Sequence, residues 1–376
     1  MRRLFQFGFL IVGAIAFSVS AAQATEPIKV GVIAPLSGSQ ASIGTAVVNG
    51  IKAAAKRVNA QGGIDGAPIE LVVYDDRNTP DEGVSAARRL MYDDKVKLII
   101  GSIGSSVTAA IQQLTTRDKV VLETPVSMAP NLSKGGDKYF FRVTATAAMR
   151  QGAFTTFVVD KLKPKTMAYL AANDDLGRSE IESAEKSYTA LNGPKTVYKA
   201  FYDPAETNFT SYLTRIKSLS PDAMFIVGDS VHAAIIVKQA RAMGIKSHLL
   251  SSGDAGTNQF LTLAGAAAEG LYLPLDWAPT FTDPASKAFL DAYIQDYGKA
   301  PDTKFAVQGW ESMWIAAEAL KRAKGVSNPD RLRQAFLATD WVGPRGKWAF
   351  ADNGDPKKLT TFAVEVKNGK FVKAAR

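Results

Sequence analysis

The chain has 376 residues, with 45 Lys and Arg against 36 Asp and Glu, two His, no Cys and 46% hydrophobic residues. That length predicts two domains at roughly 100–200 residues each, and ordinary shares of charge (22%), Gly (30) and Pro (17) exclude collagen-like, mucin-like, coiled-coil and largely disordered chains. Without Cys there is no thiol nucleophile, disulfide, iron–sulfur cluster or Cys-ligated zinc, and His232 and His248 alone cannot build a three-His metal site. The net charge of +9 is scattered in runs no longer than pairs such as Lys357-Lys358, so a solvated basic surface is expected rather than a nucleic-acid stripe.

Arg2 and Arg3 precede an apolar run from Leu4 to Phe17, and Ala22-Gln23-Ala24 follows. This predicts a secretory signal peptide over residues 1–24, cut after Ala24. Gln6, Gly8 and Gly13 break the run, which falls short of the ~20 residues of a spanning helix. No Cys follows it to carry a lipid anchor, so a soluble periplasmic protein starting at Thr25 is expected.

From Ile28, strand and helix patterns alternate: IKVGVIA (28–34), a helix over 43–60, IELVVY (69–74), a helix near 81–93 and VKLIIG (96–101). In the first helix Ile43, Val47, Ile51, Ala54, Ala55 and Val58 recur every three or four residues, which makes one buried stripe. The strands are short continuous apolar runs, as a parallel sheet covered on both faces requires. The alternation breaks around 143–150 and resumes with TMAYLAA (166–172), a helix over 177–191, TVYKAFY (196–202), a helix over 208–218, AMFIVG (223–228), a helix over 231–243 and HLLSSG (248–253). A loop-like stretch from 274 to 284 leads to helices near 284–297, 304–323 and 328–338. Short strands in KWAF, TTFAVEV and KFVKA end the chain, with turns at Asn353-Gly354 and Asn368-Gly369. The fold class is α/β: two doubly wound units with parallel central sheets, the last helices and strands shared between them.

Open α/β sheets bind ligands beyond the carboxyl ends of their strands. In the first unit these ends carry Ser37-Gly38, Ser102, Ser105, Ser106 and Ser127, small hydroxylated residues at helix starts where free N–H groups suit a carboxylate or phosphate. Each alone could be an ordinary helix cap; their convergence on one edge makes a site. The second unit carries acids at the matching places, Asp174, Asp175, Asp203, Asp229 and Asp254, again cap-forming residues that together would complement a zwitterion.

Enzymatic signals are weak. Gly101-Ser102-Ile103-Gly104-Ser105 does not fit the nucleophile elbow, and Gly228-Asp229-Ser230 with His232 is too compact for a triad. There is no P-loop and no G-x-G-x-x-G after the first strand, and Asp75-Asp76 has no further metal ligand at a suitable spacing. No enzyme activity, cofactor or metal is expected.

The segments IKVGVIAPLSG (28–38), VNAQGGIDGAPIELVVYDD (58–76), IIGSIGSSVT (99–108), ETPVSMAPNL (123–132), the Asn208-Phe209-Thr210 helix start, KQARAMGIK (238–246), AAEGLYL (267–273) and VGPRGKWAFADNGD (342–355) together resemble the leucine/isoleucine/valine-binding proteins. These are extracytoplasmic receptors of ABC importers with the type I periplasmic binding fold. The resemblance implies two lobes joined by three crossover strands near 144–147, 273–276 and 355–358. Lobe one would hold 27–145 plus 276–355, and lobe two 146–275 plus 356–376.

It further implies that Ser105 and the backbone near Ser127 hold a ligand carboxylate, and Ser106 from the strand-end reading joins them as a candidate ligand residue. The Val126 carbonyl, the position of Met128 and an acid at Gly253 or Asp254 would face an ammonium. Ile43, Leu176, Asp229 and Phe305 would form the walls, and Asn78 and Gly104 replace the family's disulfide cysteines. The expected function is a receptor that closes on a small carboxylate-bearing solute, a branched-chain or other apolar amino acid, and delivers it to a membrane permease. The alternative is an aromatic or aliphatic carboxylate without an ammonium, favoured by Met128 and Leu176. A monomer without nucleic-acid partners is expected. A ligand sensor would need a transmembrane, kinase or DNA-binding segment in cis, and a secreted hydrolase would show turnover on esters or amides.

Overall fold

The computed structural model describes residues 26–277, 283–359 and 361–374. The expected signal peptide lies outside the described residues. The chain first forms β1 (Ile28–Ala34), α1 (Ala41–Ala60), β2 (Ile69–Asp75), α2 (Pro80–Arg88), β3 (Leu98–Gly101), α3 (Ser105–Arg117), β4 (Val121–Thr124), a short α4 (Asn131–Lys134) and β5 (Phe140–Arg142). There follow α5 (Ala147–Phe157), β6 (Thr166–Ala172), α6 (Asp175–Ala190), β7 (Lys195–Tyr202), α7 (Thr210–Leu219), β8 (Ala223–Val227), α8 (Ser230–Ala242), β9 (His248–Ser251), α9 (Asn258–Ala264) and β10 (Tyr272–Leu275). The last third holds α10 (Pro284–Tyr297), α11 (Phe305–Ala323), α12 (Pro329–Leu337), the hairpin β11 (Trp341–Gly343) and β12 (Gly346–Trp348), then β13 (Phe362–Lys367) and β14 (Lys370–Lys373).

One sheet is five-stranded and parallel, in the order β2-β1-β3-β4-β5. The other has seven strands, β14-β13-β10-β9-β8-β6-β7, parallel from β7 to β10 and antiparallel at β13 and β14. Inner strands such as β3, β4 and β8 are buried along their whole length, as a sheet covered on both faces demands.

Two boundaries differ from the sequence pattern for local reasons. The helix expected near 81–93 ends in a wider π-helical turn, Arg89–Asp93, which keeps Leu90 and Met91 buried. β3 starts two residues later than VKLIIG suggests because the Val96 N–H still closes that turn on the Leu90 carbonyl.

The second half of the chain returns to the first sheet: α11 packs on α1, and their residues share one apolar core with β1, β3, β4 and β5. Gly50 and Gly309 mark the crossing. A Cβ on Gly50 would stand 1.9 Å from the Ala306 carbonyl oxygen, and one on Gly309 2.0 Å from that of Val47. A helix-interior Gly costs about 1 kcal/mol against Ala; here it permits backbone contact.

Within this core Glu123 of β4 is fully buried, and neither carboxylate oxygen has a hydrogen bond of good geometry. Burial pushes its carboxyl well above the usual value, opposed by the Ser312 hydroxyl nearby. The folded state therefore binds this proton more tightly than the unfolded state. The stability it contributes is full below the unfolded value, about 4.3, and is lost as pH rises towards the folded value. Glu123→Gln should remove that slope, so the stability of the variant relative to wild type grows between pH 4 and pH 8. Thermal melts across that range check it, and a pH-independent difference would contradict it.

Candidate functional site

A cavity of about 120 Å³ lies between the carboxyl ends of the two sets of strands. One wall comes from the first unit: Ser39, Gln40 and Ile43 at the start of α1, Asn78, Ile103, Gly104, Ser105 and Val126. The other comes from the second: Asp174, Leu176 and Gly177 at the start of α6, Pro204, Gly228, Asp229 and His232 around the start of α8, and Asp254. A larger hollow of about 650 Å³, bordered by Lys163, Lys165, Lys217, Lys246 and His248, sits at the opposite end of the second sheet, beside the strand starts. The strand-end rule for α/β ligands favours the smaller cavity.

Ser105 opens α3 directly after β3, with Gly104 rather than a side chain at the cap. Its Oγ accepts two long hydrogen bonds, from the Met128 and Ala129 N–H groups at 3.3 Å each, so its own proton is left to donate. Asn78 borders the same wall, and Ile43, Ile103 and Val126 make it apolar.

The opposite wall is acidic. Asp174 caps α6 by accepting from the Gly177 N–H at 2.7 Å. Burial raises its carboxyl, the Gly177 N–H opposes this, and Asp175 and Asp254 add to it. Asp229 caps α8 through the Val231 and His232 N–H groups at 2.9 Å and faces the His232 Nδ1 at 3.0 Å. That contact raises the imidazole, against burial. Asp254 meets the Arg150 Nη1 at 3.2 Å.

Of the ten residues expected to touch ligand, Ile43, Ser105, Val126, Leu176, Asp229 and Asp254 border this cavity, while Ser106, Ser127, Met128 and Phe305 do not. The Ser106 hydroxyl instead donates to the Asp175 Oδ2 at 3.1 Å, tying α3 to α6 across the cleft. The Ser127 hydroxyl is spent on Thr108 at 2.6 Å and on the Ile103 carbonyl at 3.1 Å. Arg142 holds the Ser127 and Ala129 carbonyls, which fixes this loop with Met128 buried. Phe305 is fully buried at the start of α11.

Behind the acidic wall runs a buried chain of charges that no local pattern announced. Arg150 lies between Asp254 and Glu180 (3.5 Å), and Lys304 stands 3.7 Å from Asp276. Asp276 also receives the Arg345 Nη1 at 2.8 Å, and the Arg345 Nε donates to Glu311. Burial lowers the Lys304 ammonium to about 8, with Asp276 opposing the shift. Burial alone would raise Asp276, yet Lys304 and Arg345 hold it well below the usual carboxylate range. Gly253 leaves room for these cations, since a Cβ there would sit 3.1 Å from the Lys304 Nζ and 3.3 Å from the Arg150 Cζ. Among the described residues no His, Asp and Glu cluster could hold a metal ion, and no helix is long and apolar enough to cross a membrane.

Two sheets that present their strand ends to one shared cleft define a two-lobed solute receptor. The chain belongs to the periplasmic binding protein family, whose model matches residues 27–370, and its relatives include Leu/Ile/Val-binding proteins. It is 25% identical over 346 residues to the leucine-, isoleucine-, valine-, threonine- and alanine-binding protein of Pseudomonas aeruginosa, covering 92% of this chain and 91% of that one. A branched-chain amino acid transporter substrate-binding protein of Streptococcus pneumoniae, solved with isoleucine, superposes with a TM-score of 0.84 at 29% identity, over 93% of this chain and 100% of that one. A solute-binding protein of an ABC transporter of Rhodopseudomonas palustris, solved with 3,4-dihydroxybenzoic acid, gives 0.82 at 26% identity, over 92% and 95%. The family and the two-lobed α/β fold expected from the sequence motifs are borne out.

Proposed function

We propose that this protein is the extracytoplasmic receptor of an ABC importer, and that it closes its lobes on an amino acid with an apolar, branched side chain for delivery to a membrane permease. The observation that carries the reading is one cavity with opposite chemistries on its walls. The Ser105 hydroxyl and the first turn of α3 suit a carboxylate, whereas Asp174, Asp229 and Asp254 suit an ammonium. Ile43, Ile103, Val126, Leu176 and Val227 supply apolar surface for a side chain. Two or three hydrogen bonds to the carboxylate at about 1.5–3 kcal/mol each, with about 3 kcal/mol from the side chain, reach the roughly 8 kcal/mol of micromolar binding.

Each lobe supplies half of these contacts, so ligand favours the closed form. The lobes would be 27–145 plus 276–355 and 146–275 plus 356–376, in a periplasmic monomer. The grouping of α11 with the first sheet and of β13 with the second supports this division. The second reading, an aromatic carboxylate without an ammonium, draws support from the likeness to the 3,4-dihydroxybenzoate-bound protein and from Arg150, which offsets the charge of Asp254.

Calorimetry with leucine, isoleucine and valine against benzoate and 4-hydroxybenzoate separates the two. Binding of the aromatic acids alone would overturn the amino-acid reading and leave the receptor assignment intact. Ser105→Ala should weaken the bound ligand by about 1–3 kcal/mol, the range for a hydrogen bond to a charged group. Gly104 holds the cap position, so no cap is lost, but the buried Met128 and Ala129 N–H groups lose their acceptor and some stability should go with it. Unchanged affinity with a lower melting temperature would reduce Ser105 to a brace for the 128–129 loop.

A further inference from the structure

We propose that Asp174 is the residue that holds the ligand's ammonium group, and that Arg150 and His232 withdraw the other two cavity carboxylates from that role. The proposal rests on the amino-acid reading and sharpens it. Three acids border the cavity, and they differ in what already neutralises them. Asp254 faces the buried guanidinium of Arg150 at 3.2 Å. Asp229 spends one oxygen on two N–H groups and on the His232 Nδ1. The His232 ring also meets the Pro204 carbonyl, so both of its nitrogens face acceptors. Two acceptors favour the doubly protonated ring, and the Asp229 contact raises the imidazole accordingly, against burial.

Asp174 is different. It accepts a single hydrogen bond, through Oδ1, from the Gly177 N–H. Among the described residues no cation lies within ion-pair distance of it, and the nearby Arg178 is turned to the Asn173 Oδ1 instead. Asp174 borders the cavity with its Oδ1 bonded to the helix it caps.

A half-buried carboxylate beside Asp175 and Asp254, with only Arg178 and His232 as cations beyond ion-pair distance, has less countercharge than such groups normally have. An ammonium in the cavity would supply it. The start of α6 opposes a cation there, but a helix N-terminus amounts to roughly half a positive charge against the full negative charge of the carboxylate. The carboxylate prevails. With the ligand's carboxylate on Ser105 in the first unit and its ammonium on Asp174 in the second, the ligand itself links α3 to α6, the same two helices joined by Ser106 and Asp175.

The test is calorimetry on the purified protein with leucine and with 4-methylpentanoate, which keeps the carbon skeleton and lacks the ammonium. Asn caps helices as well as Asp does, so Asp174→Asn removes the charge and keeps the start of α6. The expected result is at least a tenfold loss for leucine, with 4-methylpentanoate bound as well as or better than by wild type, and a smaller loss for leucine in Asp254→Asn. If wild type binds leucine and Asp174→Asn stays within threefold of it, or Asp254→Asn loses more, the assignment of Asp174 is wrong and the amino-acid reading stands. If wild type binds 4-methylpentanoate or benzoate and no amino acid, the reading fails and the assignment falls with it. Asp174→Ser, which also caps, gives the same comparison should the Asn variant not fold.

Discussion

Replacing Arg345 by Met is expected to cost about 3–5 kcal/mol of folding stability, the usual penalty for removing one partner of a buried ion pair. Arg345 is buried in the β11–β12 hairpin and makes four kinds of contact. Its Nε and backbone N–H donate to Glu311, its Nη1 to Asp276 at 2.8 Å and its Nη2 to the Val143 carbonyl at 2.6 Å. The guanidinium also lies 4.9 Å from the centroid of the Trp348 ring. Met fills much of the volume and none of the charge, which leaves buried Glu311 without its ion-pair partner and Asp276 with Lys304 and the more distant Arg150. Lys at this position should rescue little, because a point charge cannot reproduce the planar fork that serves two acids at once. Urea unfolding at neutral pH measures the difference. A loss under about 1 kcal/mol, the range of exposed pairs, would mean that the chain of charges tolerates the gap.

Gly309→Val should also be severe, about 3 kcal/mol, the upper end of the range for an overpacked core. The atom that a Cβ would meet at 2.0 Å is the Val47 carbonyl oxygen, part of the α1 backbone rather than the end of a side chain. It cannot swing aside, so α1 and α11 must separate along a contact that carries much of the first core. Chemical denaturation checks this, and a variant as stable as wild type would show that the two helices slide freely.

Much of the architecture was legible because short-range periodicity determines it. The runs 28–34 and 166–172 became β1 and β6 without change, and α10 spans 284–297 as expected, from a Pro in its first turn to Gly298 in the left-handed region. The strand-end rule pointed to Ser105, Asp174, Asp229 and Asp254, and the family resemblance to Ile43, Val126 and Leu176, all of which border one cavity. What periodicity does not encode is pairing across the chain. Arg150 and Lys304 read as members of a scattered basic surface, yet both are buried, with partners that include Asp254 and Asp276. Nor does residue type reveal orientation. Ser127 and Met128 follow a strand end as Ser105 does, but Thr108 and Arg142 capture their loop and turn it inward.

The return of the chain to its first core bears on how the protein folds. The apolar face of α1, complete by Ala60, is covered by α11, which begins only at Phe305, and β10 gains its second neighbour when β13 is reached at Phe362. Neither core can close before most of the chain is present. Such long sequence separations slow folding, because loop entropy is lost before the contacts that compensate for it can form. A fragment ending before Phe305 should leave the α1 stripe bare and behave as a sticky, partly ordered chain, even though it contains every strand of the first sheet.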